Sequence, residues 1–277
     1  MKKRGQITIF VIVAIVIVVI VGLFIFLKGD DGIGGIGGDD VPSTPEGVEF
    51  KVYMDECLKD VLEQGFMLAG YQGGYVIVSD SLDSKDFFGA SVPYYSVDGE
   101  SRLPSRNTLL RSVEDYVSFG IVQCKDEFES NYELISEGVN NVDINFEDDL
   151  AKVYVNYPVS LVLGDTTSEV SSFTADSSVR FNNVYDTVAS IIALQNKDPY
   201  NICFNCVNVL NRDNIFVDGF AQSGNTIVFL VSDLGAELVE DEYYKFYFAV
   251  KYPEYNCENL PGDIDDYVKE QCGVEDV

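Results

Sequence analysis

The run Ile7 to Leu27 is 21 residues long and carries no charge, with Thr8 and Gly22 its only non-hydrophobic members. In a helix it extends about 30 Å, the thickness of a bilayer's hydrocarbon core. This stretch constrains the chain more than any other, because it has to leave water. Lys2, Lys3 and Arg4 precede it, and a single Lys28 follows, met at once by Asp30 and Asp31. That bias of positive charge places the N-terminus inside and everything beyond Lys28 outside. The expected localisation is the cell membrane, single-pass, with an exported domain. A cleaved secretory signal needs a shorter apolar core followed by small residues, and Phe24-Ile25-Phe26-Leu27-Lys28 offers neither.

Charge sharpens the picture of the exported part. The chain has a formal charge of −28, and its first 28 residues hold four bases and no acid. The remainder therefore carries 14 bases against 46 acids. Such a surface repels nucleic acid, which is not expected as a partner, and it suits solubility or a basic protein or cell-envelope partner. With 17 Tyr and 18 Phe the exported part reads as folded protein rather than an acidic tail. All six cysteines, Cys57, Cys124, Cys203, Cys206, Cys257 and Cys272, lie beyond the apolar run. An even count on the oxidising side of a membrane reads as disulfides, with fifteen pairings open. The chain has no histidine, which removes Ser-His and Cys-His catalytic pairs and the commonest transition-metal ligand. No catalytic residue, cofactor or metal is expected.

Lys3-Arg4-Gly5-Gln6 followed directly by an apolar helix resembles archaeal class III signal peptides, which belong to type IV pilin-like proteins. The resemblance implies cleavage of the Gly5–Gln6 bond, with the apolar helix kept on the mature protein and free to pack in a filament. Many such pilins carry Glu at the fifth mature position, where this chain has Phe10. Arg4 to Phe10, with Glu56-Cys57-Leu58 and Gln72-Gly73-Gly74-Tyr75, also resembles a group of uncharacterised single-pass proteins of small-genome archaea. That group implies no activity.

Residues 29–42 begin Gly-Asp-Asp-Gly-Ile-Gly-Gly-Ile-Gly-Gly and read as a flexible tether. The domains expected are thus 1–28, a basic tip and transmembrane helix; 29–42, the tether; and 43–277, an ectodomain stapled by disulfides. A helix should start at Ser43–Pro45, with Phe50, Met54, Cys57, Val61 and Leu68 on its apolar face and Glu63 among its polar residues. Gly70 and Gly73-Gly74 should stop it before a strand at Tyr75–Val78. Residues 79–104 look loop-rich, with a strand at Ser91–Val97. A second helix starts at Pro104-Ser105 and aligns Leu109, Val113, Val117, Ile121 and Cys124. If these helices pack together, Cys57–Cys124 is the simplest pairing.

From Val142 the apolar period becomes two, and strands are expected at Val142–Phe146, Lys152–Pro158 continuing to Leu163, and Glu169–Ala175. Val179–Gln195 returns to helical spacing, with Phe181, Val184, Tyr185, Val188, Ile191 and Ile192 buried. A short helix at Tyr200–Leu210 holds Cys203-Phe204-Asn205-Cys206, and strands follow at Ile215–Ala221, Thr226–Ser232 and Tyr243–Tyr252, the first two joined at Ser223-Gly224-Asn225. The sum is an α+β ectodomain with amphipathic helices and a mainly antiparallel sheet.

Cys203-x-x-Cys206 is the sharpest chemical motif. It reads first as a structural disulfide, with a redox pair or a zinc site shared with Cys257 and Cys272 as the other readings. The acidic runs read as solvated surface. The sequence thus leads to a non-enzymatic structural or interaction module, held in the membrane by Ile7 to Leu27 and working at the cell surface. The alternative is a pilin-like subunit processed after Gly5. Oligomeric state is left open.

Overall fold

Helix α1 (Pro45–Tyr71) lies between two sheets and touches both. Thr44 sets its start: the residue is extended, its hydroxyl accepts the Gly47 N–H at 3.2 Å, and Pro45 fills the first helical position. The computed structural model describes residues 44–147, 150–200, 202–238 and 242–254. The apolar run 7–27, the processing pair Gly5 and Gln6, the tether 29–42 and the tail with Cys257 and Cys272 lie outside the described residues. Among the described residues no helix is long and apolar enough to cross a membrane.

The first sheet is built from β1 (Ser84–Phe87), β2 (Ala90–Val97), the short β3 (Glu100–Ser101), β8 (Ile215–Gln222), β9 (Thr226–Glu237) and β10 (Tyr243–Lys251), in the order β1-β2-β10-β9-β8 with β3 on β2. Its pairs are antiparallel except β2 with β10. The second sheet holds β4 (Glu133–Ser136), β5 (Asn141–Glu147), β6 (Leu150–Leu163) and β7 (Thr166–Ser177), all antiparallel. The long β6 carries β7 along one edge and β5 followed by β4 along the other. Pro158, which has no N–H to give to a ladder, falls where the β6–β7 register shifts, between Asn156 and Val159. Helices α2 (Arg106–Glu127), α3 (Phe181–Lys197) and α4 (Phe204–Asn208) complete the fold, which is α+β with mainly antiparallel sheets.

One core joins the layers. Phe50 of α1 meets Phe173 of β7, with ring centroids 6.0 Å apart, while Phe66, sixteen positions on, meets Tyr244 of β10 at 6.2 Å and Phe181 of α3 at 6.1 Å. On α2 the expected stripe of Leu109, Val113, Val117, Ile121 and Cys124 is buried throughout. On α1 the buried set is Phe50, Met54, Leu58, Leu62, Phe66 and Ala69, which corrects the expected face. Leu68 is 37% exposed and Glu63 is buried. The cause is that α1 packs on three sides, its sheet-facing row adjoining a second row that meets α2. Tyr185, expected in the core of α3, is only half-buried and donates its hydroxyl to the Pro104 carbonyl.

The second row on α1 is made close by small residues. A Cβ on Gly120 of α2 would stand 2.4 Å from Val61 Cγ1, and one on Gly65 of α1 would stand 3.0 Å from the Tyr116 ring. Cys57 and Cys124 are joined on this same antiparallel seam, with Cα atoms 6.0 Å apart.

The expected strand at Tyr75–Val78 is a loop. The Val76 N–H donates to Ser112 Oγ and its carbonyl accepts from Gln72 Nε2, both at 2.8 Å, so its backbone groups are taken by side chains rather than by a ladder. Gly73 and Gly74 stop α1 with positive φ, and a Cβ on Gly74 would press on Leu109 at 2.7 Å.

Candidate interaction groove

Besides carrying the short β3 at its end, β2 changes partner along its length. Its first half, Ala90–Pro93, pairs with β1, and its second half pairs with β10. The β1–β2 hairpin thereby folds over the outer face of the first sheet. Phe87 and Val92 cover Val228 and Ala249 in a small cluster separate from the main core. The Phe87 ring reaches Phe220 of β8 at 5.5 Å, although β1 and β8 stand at opposite ends of the strand order. Lys85 adds a hydrogen bond to the Ser223 carbonyl at 3.2 Å.

The hairpin turns through Phe88 at φ +51° and Gly89 at φ +83°. Two-residue turns with positive φ at both positions favour Asn-Gly, because a bulky side chain in the left-handed region costs about 1–2 kcal/mol. Here the first position is a phenylalanine, and it is 93% exposed. Its ring leans edge-on to Phe87 at 4.6 Å. The side chain is thus kept in an unfavourable backbone conformation and in water at once.

Below it lies a groove of about 490 Å³, walled by Leu68 and Tyr71 from the end of α1, by Phe87 and Phe88 from the hairpin, and by Tyr247 from β10. Tyr71 and Tyr247 stack at 5.9 Å. Gln72 is the polar side chain on the wall apart from the tyrosine hydroxyls, and no charged side chain lines it. Burial pushes the Tyr247 hydroxyl above its ordinary value, with Tyr71 and Glu242 adding to the shift and Lys245 opposing it. It stays a protonated donor at neutral pH. In a chain this acidic, an uncharged aromatic groove stands apart from the surface around it. Phe216 and Leu234, at 44–45% exposure on β8 and β9, extend apolar surface beyond the hairpin's cover.

The described cysteines form two disulfides of different kinds. Cys57–Cys124 closes a loop with a sequence separation of 67 and fixes α1 to α2. The chain-entropy account values such a closure at about 4 kcal/mol. Cys203–Cys206 spans a separation of 3, for which the same account gives about 2 kcal/mol. Its sulfurs are joined to each other, so they are not thiolate ligands for zinc here. Among the described residues no group of three acids or cysteines could hold a metal ion.

The other buried polar groups serve the fold. Arg180, at the start of α3, grips the fully buried Asp233 of β9 with two nitrogens, Nε at 2.9 Å, and Gly235 N–H donates to the same carboxylate at 2.9 Å. Tyr252 donates to the buried Gln195 at 2.9 Å. Tyr95 donates to the Gly73 carbonyl and ties the helix stop to β2. No nucleophile is paired with a base in these sets, and the hydroxyls of Tyr244 and Ser177 are buried without a partner.

Compared with protein-family models, with curated proteins and with solved structures, the chain matches none. The groove is almost invisible in the sequence. Its residues come from three distant segments, and the Phe88-Gly89 turn was its one local signal, a glycine after two aromatics in a stretch otherwise read as loop.

Proposed function

We propose that the chain is a membrane-anchored module at an archaeal cell surface that works by binding rather than catalysis. Ile7 to Leu27 holds it in the membrane, residues 29–42 give it reach, and the folded domain stands outside and makes contact through the hairpin groove. The two disulfides suit the oxidising side of a membrane. The observation that carries the reading is Phe88, an exposed aromatic held at positive φ over an uncharged groove. Strain and exposure together at one residue are what a contact site retains and a merely stable turn does not.

The test is co-sedimentation of the purified full-length protein, kept in detergent, with cell-envelope fragments of its own source stripped of membrane. Wild type should pellet saturably and Phe88→Asn should stay in solution. Equal pelleting of the two would remove the groove from the account.

The N-terminal residues Lys3-Arg4-Gly5-Gln6 support a second reading, a pilin-like subunit cut after Gly5 and assembled through its apolar helix. Intact mass of the protein taken from membranes distinguishes the two. A mass lacking Met1–Gly5 supports processing, and an unprocessed chain leaves the plain anchor.

A further inference from the structure

The short disulfide, Cys203–Cys206, spans a sequence separation of 3. The segment around it is seated by other contacts: Val207 of α4 is buried in the main core, and Gln195 of α3 donates to the Cys203 carbonyl at 3.4 Å. Gln195 is itself fixed by Tyr252. Cys203–Cys206 therefore links two residues that the chain already holds together, whereas Cys57–Cys124 joins two long helices. Cys203 and Cys206 are both partly exposed, whereas in the other disulfide Cys57 is partly exposed and Cys124 is buried. The Cys206 N–H donates to Cys203 Sγ at 3.2 Å.

The chain just before the pair lines a second groove, of about 460 Å³. Pro199, Tyr200, Ile202, Tyr252 and Pro253 line it, with the β8–β9 turn at Ser223-Gly224-Asn225 as its other wall. Ile202, the residue before Cys203, is 40% exposed and Tyr200 is 47% exposed. A partly exposed small-ring disulfide, one residue along the chain from an apolar groove, offers the two parts that exchange with a protein thiol uses: a disulfide at the surface, and a seat for the residues flanking the incoming cysteine.

We propose that Cys203–Cys206 is a thiol–disulfide exchange site for a dithiol on a second protein. A partner thiolate attacks Cys203 Sγ. The bond to Cys206 breaks, a mixed disulfide forms, and Cys206 leaves as a thiolate that takes up a proton. The partner's second thiolate then attacks its own sulfur in the mixed disulfide and releases Cys203. The partner dithiol is oxidised to a disulfide, and the Cys203–Cys206 disulfide is reduced to the dithiol. Run backwards, the same steps reduce a partner disulfide. Ile202 and Tyr200 seat the apolar residues beside the partner's cysteine, and Gln195 positions the loop without touching the reacting sulfurs. This site is separate from the groove at Phe88 and goes beyond the binding role.

The test uses the full-length protein in detergent, equilibrated across glutathione buffers, quenched with acid, alkylated and peptide-mapped. Cys203 and Cys206 should become alkylated together while Cys57–Cys124 stays oxidised and the circular dichroism is unchanged. With the Cys206→Ser variant, a disulfide-bonded peptide carrying Leu and Tyr beside its cysteines should be trapped at Cys203. Trapping should be about tenfold faster than at Cys206 in Cys203→Ser, because attack depends on access and thiolate character. Ile202→Asp should slow trapping and leave the glutathione midpoint in place. Resistance of the pair to reduction until the domain unfolds would overturn the proposal, as would equal trapping in the two single variants.

Discussion

Asp55 of α1 accepts the backbone N–H of Thr174 on β7 at 2.9 Å. One turn earlier, Lys51 donates to the Ser172 carbonyl at 2.9 Å and pairs with Asp55 at 3.1 Å. β7 pairs only with β6 among the described strands, so these backbone groups lie on a free edge. An exposed edge is a template for unwanted strand pairing, and here two helix side chains occupy it. Asp55→Ala should cost about 1–2 kcal/mol and raise the tendency to aggregate at high concentration. Denaturant melts and light scattering check the two effects, and Lys51→Ala should show the weaker form of both.

The seam between α1 and α2 leaves no room at Gly120. Alanine is normally the better helix residue by about 1 kcal/mol, so exposed helix glycines gain from this change. At Gly120 the added methyl meets Val61, and Gly120→Ala should instead destabilise by about 1–3 kcal/mol. Val61→Ala should recover part of that loss, and a double-mutant cycle of thermal melts reads the coupling.

Phe88→Asn should act in the opposite sense. Asparagine tolerates the left-handed turn, so the variant should be more stable by up to about 1 kcal/mol while losing envelope binding. A gain in melting temperature paired with lost binding is the signature of a residue kept for contact. A fall in melting temperature would show that Phe88 is part of the packing instead.

Buried tyrosines, Tyr95 and Tyr244 foremost, set the alkaline limit. Burial holds the Tyr95 and Tyr244 hydroxyls well above their ordinary value of 10, with Asp233 adding to the shift at Tyr244. In the unfolded chain both ionise near pH 10, while in the fold they keep their protons. The unfolded state then binds fewer protons, so stability is whole below pH 10 and falls above it, by about 3 kcal/mol per pH unit for the pair. Urea melts at pH 9 and pH 11 check the slope, and Tyr244→Phe should flatten it. The same substitution removes a buried hydroxyl without a partner and should leave neutral-pH stability unchanged or higher.

How much the sequence reveals depends on how many neighbours an element has. α2 buries one stripe, and its period alone identifies every core residue. β6 alternates cleanly because its two faces meet different surroundings, whereas β7 changes phase between Ser172 and Phe173. α1 is harder, because its sheet-facing row and its α2-facing row merge into one broad apolar band, and Leu68 belongs to neither. β1 reads Ser-Lys-Asp-Phe and gives no strand signal; its pairing with β2 and the apolar patch it covers make it one. Tyr75–Val78 has strand residues but no strand, since Gln72 and Ser112 take its backbone bonds. The Cys57–Cys124 pairing was legible from two helical stripes, whereas the groove required knowing that a hairpin folds over a distant strand.

The proposed function puts the disulfide-stapled domain outside a membrane in which Ile7 to Leu27 holds it. Protease shaving of intact cells, followed by mass spectrometry of the retained chain, tests it most directly. The account predicts that peptides from residues 44–254 are released from intact cells, while residues at and before Leu27 stay with the membrane. Full protection of residues 44–254 until the membrane is broken would place the domain inside and contradict it.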